Sequence, residues 1–218
     1  MRRLGGMSLD FVPVLHSDEE VFTRTAHLFA TATEITCAAR DLNTFAATRR
    51  RHDDVHPVPM PRLRKLYRPE ALLNPSMAQH LRTAASRGAE VRITQDDVNE
   101  TIIIDRRLAI LAGDVVDGRR GYGVVTEPTV VQNVASLFDA AWRSGTDLAV
   151  YDAQHAELRA LAPRVLELLA SGCKDETAAR ALGLGVRTYR RRVAELMAVL
   201  GANSRFQAGA RARDLGLI

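Results

Sequence analysis

The chain has 218 residues, of which 46% are hydrophobic and 26% charged, with a formal net charge of +4. That is enough apolar material for one sizeable core and a small second one, so two domains are predicted. No apolar run approaches the roughly eighteen residues a membrane span needs, and Arg2 and Arg3 precede no long apolar stretch with a cleavage-type site, so a cytoplasmic protein with no membrane partner is expected.

Residues 18–33 read as an amphipathic helix, with Asp18, Glu19 and Glu20 in the first turn, where negative charge suits the helix dipole. A strand is predicted at Glu34–Arg40. It carries Cys37, which with the distant Cys173 forms no metal spacing or disulfide framework; both read as reduced thiols. From Thr44 to Pro61 the chain mixes Arg49, Arg50, Arg51, His52, Asp53 and Asp54 with prolines at 57, 59 and 61, which resists helix and central strand alike. This is an expected loop. His52 and His56 have an i, i+4 spacing that could hold a metal on a helix, but Pro57 opposes a helix and no third ligand is apparent, so neither metal nor cofactor is predicted.

A strand near Leu63–Tyr67 should precede a helix from Pro75 to about Arg87, bounded by proline at its start and Gly88 past its end. Three runs rich in Val, Ile and Leu, at Glu90–Thr94, Thr101–Asp105 and Leu108–Ala112, read as strands, with another at Gly121–Thr126. Pro128–Arg143 has Val131, Val134, Ala135, Leu137, Phe138, Ala141 and Trp142 as its apolar side and reads as a helix; Phe138 and Trp142 are expected in a core or a dimer contact. The body is therefore α/β. Ser144 to Asp147 reads as a break before a helical tail.

From Ala156 onward the pattern is helical, with breaks at Gly172, at Gly183 and Gly185, and at Gly201, which predicts an all-α unit of four helices. Residues 156–218 carry 11 Arg and Lys against 6 Asp and Glu, a net +5, whereas residues 1–155 carry 19 against 20, a net −1. An excess of that sign in so short a segment is the footprint of a phosphate-binding module. The helix beginning at Val186 has Arg187, Arg190, Arg191 and Arg192 in its first two turns, with Val193, Leu196, Met197 and Leu200 available for packing. Base readers sit at the start of a recognition helix, and the arginine fork matches guanine O6 and N7.

Together these segments resemble the LuxR-type helix-turn-helix family of transcription regulators. The resemblance rests on Val165 to Gly172, Ala178 to Leu184, Arg187-Thr188-Tyr189, Leu200 to Ala208 and Leu215 to Ile218, a little over a quarter of the chain. It implies that Arg190 and Arg191 face base edges and that Arg187, Thr188, Arg192 and Arg205 lie at phosphates. It further implies double-stranded DNA as partner, bound as a homodimer on paired half-sites, with an effector or the transcription machinery as a further partner. Three positions depart from the pattern: Gly185 replaces Ser, Tyr189 replaces Val, and Ala162 stands where the first helix has Glu.

Residues 62–148 resemble the phospholipase-D-like domain found beside such modules in actinobacterial regulators, and are similar to the effector half of TrmB-type regulators. The segments that carry this are Arg64-Lys65-Leu66-Tyr67, Arg87 to Arg92, Ile103 to Ala109 and Leu137 to Trp142. Catalysis in that superfamily needs His-x-Lys-x-x-x-x-Asp, with His as nucleophile. Counting back from Asp105 places Val98 at the His position and Glu100 at the Lys position. A valine cannot attack phosphorus and a glutamate repels a phosphate, so a non-enzymatic body at 1–150, which senses an effector or dimerises, and a DNA-binding domain at 151–218 are predicted. Two rivals stay open: a phosphodiesterase or nuclease built on the body, and a protein-binding module whose basic helix docks on an acidic partner.

Overall fold

The computed structural model describes residues 14–15, 17–39, 61–116 and 119–218. The loop expected at 44–61, with its arginines and His52 and His56, falls outside them except for Pro61. Contacts divide the chain into two compact units. One comprises Met1–Lys65 with Asp97–Arg143, and the other Leu66–Asp96 with Ser144–Ile218.

The first unit is built on antiparallel strands. β1 (Val14–Leu15), β7 (Arg119–Val125), β6 (Leu108–Val116), β5 (Thr101–Ile104) and β2 (Glu34–Ala39) lie side by side in that order, followed by the start of β3 (Arg62–Tyr67). Both β2 and β5 are buried along nearly their whole length, as their apolar runs require, with Ile35 opposite Ile104 and Cys37 opposite Ile102. Burial pushes the Cys37 thiol up to about 11, against the opposing pull of Lys65, which keeps it protonated. The β6–β7 pairing shifts register between Ala112 and Val115, the irregularity expected of a bulge.

Helix α1 (Asp18–Thr31) starts at Ser17, whose side chain accepts from the Glu20 amide at 3.1 Å. A second helix of this unit, here α3 (Pro128–Ser144), buries Val131, Ala135, Phe138 and Trp142, and the two rings stack with centroids 5.9 Å apart. Both aromatics thus belong to a core, whereas Leu137, expected on the same side, is exposed because it falls one position off the buried stripe of Val131, Ala135, Phe138 and Trp142. Arg64 on β3 lies over them, 5.3 Å from the Phe138 ring and 5.6 Å from Trp142, and donates to Asp139 at 2.9 Å. A buried arginine is tolerated because its charge is paired while its plane stacks on the rings.

Asp105, at the end of a run read as strand, instead lies in the turn between β5 and β6. Asp105 and Arg106 have φ of 49° and 53°, and the Arg107 amide returns to the Ile104 carbonyl at 2.9 Å, closing a two-residue hairpin of the kind that favours positive φ at both central positions. One Asp105 oxygen also accepts from the Thr33 amide, the Thr33 hydroxyl and the Glu34 amide at 2.7–2.8 Å. At the two positions aligned with a phospholipase-D nucleophile and phosphate holder, Val98 is half-buried and Glu100 is ion-paired with Arg120.

The second unit joins the end of β3 to β4 (Glu90–Ile93) and β8 (Thr146–Asp147), and adds the remaining helices. Here α2 (Pro75–Ser86) is capped by Asn74, which accepts from the Ser76 and Met77 amides, and ends before Gly88 at φ +94°. The break read at Ser144 to Asp147 instead contains β8, which pairs Thr146 with Ile93 and Asp147 with Arg92. Asp147 then caps α4 (Leu148–Gln154), a helix too short to leave a periodic signal. Four helices follow: α5 (Ala156–Ala170), α6 (Asp175–Ala181), α7 (Val186–Val199) and α8 (Arg205–Asp214). Leu73, far upstream in sequence, is buried in the same cluster as Leu158, Val165, Leu196 and Ala208. That shared core places residues 66–96 and the helical tail in one unit.

Candidate nucleic-acid interface

Helix α7 buries Tyr189, Val193, Leu196 and Val199, a spacing that commits one face to the core. The opposite face carries Arg187, Arg190, Arg191, Ala194 and Ala198, all exposed. Positions 187, 190, 191, 194 and 198 fall in one stripe by the i, i+3, i+4 rule, so three arginines at the helix start project to one side and small residues follow them. Thr188 is half-buried at the edge of that stripe. Gly185 occupies the N-cap with no side-chain hydrogen bond, the consequence of lacking the serine hydroxyl at that position.

The five arginines expected at DNA divide into three groups. Arg187 and Arg191 are exposed; Arg187 makes no ion pair among the described residues, and Arg191 has Glu195 at 3.6 Å. Arg190 is 59% exposed yet donates from Nε to Asp175 at 2.7 Å. Arg205 donates to the same carboxylate from both terminal nitrogens, at 2.6 and 3.2 Å. Hydrogen bonds from Arg205 and then Arg190 hold Asp175 down to about 2, so it is ionised at any physiological pH.

Arg192 lies differently from the expectation that set it at a phosphate. Its side chain is only 12% exposed, donates to Glu195 at 2.8 Å and is ion-paired with Glu157 on α5. A guanidinium enclosed by two carboxylates ties α5 to α7 rather than projecting into solvent. Ala162 is itself buried at 2% exposure, and the tie from α5 to Arg192 comes from Glu157.

Sequence reasoning did not single out Asp175, Glu157 or Glu195. Glu195 had a signal, being three and four residues beyond Arg192 and Arg191 on one helix. The other two are on different helices from their arginines, and no spacing reveals such pairs. Tyr189 also acquires a setting. It is 1% exposed, and burial raises its hydroxyl against the pull of nearby Arg205. Its ring lies in the core shared by α6, α7 and α8, with Ala178, Val193 and Ala208 in the same buried cluster.

No family model matches the chain. It is similar to the bialaphos biosynthetic pathway regulatory protein of Streptomyces hygroscopicus, with 35% identity over 146 residues, or 66% of this chain and 55% of that protein. The chain thus spans about half the length of this curated relative, which is a regulatory protein.

Among solved structures it is similar to TrmBL2, an archaeal chromatin protein with a described mode of DNA binding, at 13% identity and TM-score 0.43 over 65% of this chain and 55% of that one. It is also similar to Nuc of Salmonella typhimurium, a phospholipase D family member, at 12% identity and TM-score 0.45 over 62% of this chain and 95% of that one. NucT of Helicobacter pylori scores 0.46 at 9% identity, over 62% and 97%. Likeness of that degree is compatible with many activities. Among the described residues no helix is long and apolar enough to cross a membrane, and no group of three or more His, Cys, Asp or Glu is placed to hold a metal ion.

Proposed function

We propose that this chain is a transcription regulator that binds double-stranded DNA in a sequence-specific manner through α7. The observation that carries the reading is the exposed stripe of Arg187, Arg190 and Arg191 at the start of a helix whose other face is buried. A surface of that kind suits the major groove, where the N-terminal end of a helix meets base edges. Similarity to a pathway regulatory protein supports the same role.

In this reading Arg190 and Arg191 contact bases, and Arg187 and Thr188 contact phosphates. Arg192 holds α5 against α7, and Arg205 reaches phosphate only while sharing its charge with Asp175. The unit containing β1, β2 and β5 to β7 acts as a sensor or dimerisation body without catalysis. The valine and the paired glutamate at positions 98 and 100 support that absence of chemistry. The active species is a homodimer on paired half-sites, responding to an effector or to the transcription machinery.

The test is selection from a random duplex library by the purified full-length protein near physiological salt, where purely electrostatic binding is suppressed. Enrichment of a two-fold symmetric motif is expected. Arg190→Ala and Arg191→Ala should then weaken binding to that motif far more than binding to random duplex. A flat library, or equal loss on both duplexes, defeats the assignment.

A further inference from the structure

The carboxylate of Asp175 connects three helices. It is the first residue of α6, its side chain is 13% exposed, and it accepts from Arg190 of α7 and Arg205 of α8. Arg205 binds it with both terminal nitrogens, so the carboxylate is held from one side before Arg190 arrives from the other. Arg190 uses Nε alone for this bond. Its Nη2 lies 3.7 Å from Glu176, too far for a hydrogen bond, and among the described residues neither terminal nitrogen donates to an acceptor.

A guanidinium donates along more than one edge of its plane. With Nε committed to Asp175, the edge that stays open is the end-on fork of Nη1 and Nη2. Two parallel donors at that spacing match guanine, which presents O6 and N7 as adjacent acceptors in the major groove. Adenine offers N7 beside an amino donor, so the same fork meets donor against donor. An anchored guanidinium also has fewer rotamers to lose on binding than a free one.

We infer that Asp175 is a specificity-determining residue of the interface, a buttress that presents the terminal fork of Arg190 to a guanine base. The inference rests on the proposed reading of DNA by α7 and adds the base recognised and the residue that positions its reader. Asp175 does not touch the base. Its ionised state at neutral pH, enforced by Arg205, keeps the buttress in place throughout the physiological range.

The experiment uses the full chain and the duplex enriched from the random library, with each guanine of the motif replaced in turn by 7-deazaguanine, which lacks the N7 acceptor. For the wild-type protein one replacement per half-site should weaken binding about tenfold, and Arg190→Ala should be insensitive to that same replacement. Asp175→Ala should bind the parent duplex and show a penalty of about threefold or less there. Asp175→Asn, whose amide oxygen still accepts from Nε, should keep most of the wild-type penalty. If Asp175→Ala does not fold, Asp175→Ser, which keeps an oxygen at the start of α6, carries the same comparison.

A full penalty in the alanine or serine variant overturns the inference. So does tighter binding of the parent duplex, which would make Asp175 a competitor of DNA. In both cases the DNA reading by Arg190 survives. If no duplex is enriched, or Arg190→Ala leaves base preference unchanged, that reading fails and the buttress with it.

Discussion

Arg211 closes the end of α7 by donating from Nη1 to the Gly201 carbonyl at 2.5 Å, and the same nitrogen reaches the Leu200 carbonyl at 2.6 Å. Terminal carbonyls of a helix have no intrahelical donor, so a guanidinium from the next helix both satisfies them and fixes the turn between α7 and α8.

Gly201→Ala should therefore be more damaging than its size suggests. The residue has φ +61°, and an added Cβ would come within 2.5 Å of Arg211 Nη1. The expected loss is about 2 kcal/mol, from left-handed strain together with displacement of the capping nitrogen. Gly172→Ala, at φ +69° with nothing near the new Cβ, should lose only about 1 kcal/mol. Urea unfolding of both variants tests the difference; equal losses would remove the role of Arg211.

Arg192 and Arg187, five residues apart on α7, should separate in a salt titration of DNA binding. Arg187→Ala removes an exposed charge and should reduce the slope of log affinity against log salt by about 1 with little change in stability. Arg192→Ala removes a guanidinium shared by Glu157 and Glu195, and should lower stability by about 1–2 kcal/mol while the slope stays near wild type. A reduced slope for Arg192→Ala in a fully folded protein would return that residue to the phosphate contacts.

Asp105 links folding to acid. Burial would raise its carboxyl, but hydrogen bonds from Glu34 and Thr33 outweigh that and hold it below the usual value. A group lowered on folding contributes stability that is full above its unfolded pKa, near 3.9, and is lost as pH falls through the folded value. Asp105→Ala should thus be less stable than wild type at neutral pH by about 1–2 kcal/mol, through loss of three hydrogen bonds at the hairpin. The gap should narrow below about pH 4. Denaturant midpoints at neutral and acid pH give the answer; a gap independent of pH would assign the effect to turn geometry alone.

Gly185→Ser should stabilise the second unit. The backbone there has φ −69° and ψ 147°, which any residue adopts, and an added Cβ meets nothing within 4 Å. A hydroxyl at this N-cap can accept from an amide of the first turn of α7, and the unfolded chain loses glycine freedom, for a gain of about 0.5–1 kcal/mol. Thermal melting tests it, and an unchanged or lower midpoint would mean that the hydroxyl finds no amide.

Most elements were legible because their signals are local. The acidic turn Asp18 to Glu20 and Pro75 mark helix starts, Gly88 marks a helix end, the Thr101–Asp105 run marks a strand, and the glycines at 172, 183, 185 and 201 divide the tail into its four helices. Among the elements missed are those below the length at which periodicity becomes visible, the two-residue β1 and β8 and the seven residues of α4.

By itself the sequence determined the α/β character of the body, the helical tail with its excess of positive charge, and the placement of Arg187, Arg190 and Arg191 at the head of one helix, because periodicity, capping and composition act within a few residues of each other. Only the tertiary structure decided which arginines remain available. Arg190 and Arg205 meet at Asp175, Arg192 is enclosed by Glu157 and Glu195, and Leu73 enters the core of the tail. Pairings of this kind depend on how separate helices pack, and charges distant in sequence come within a few ångströms only after the apolar faces have been buried.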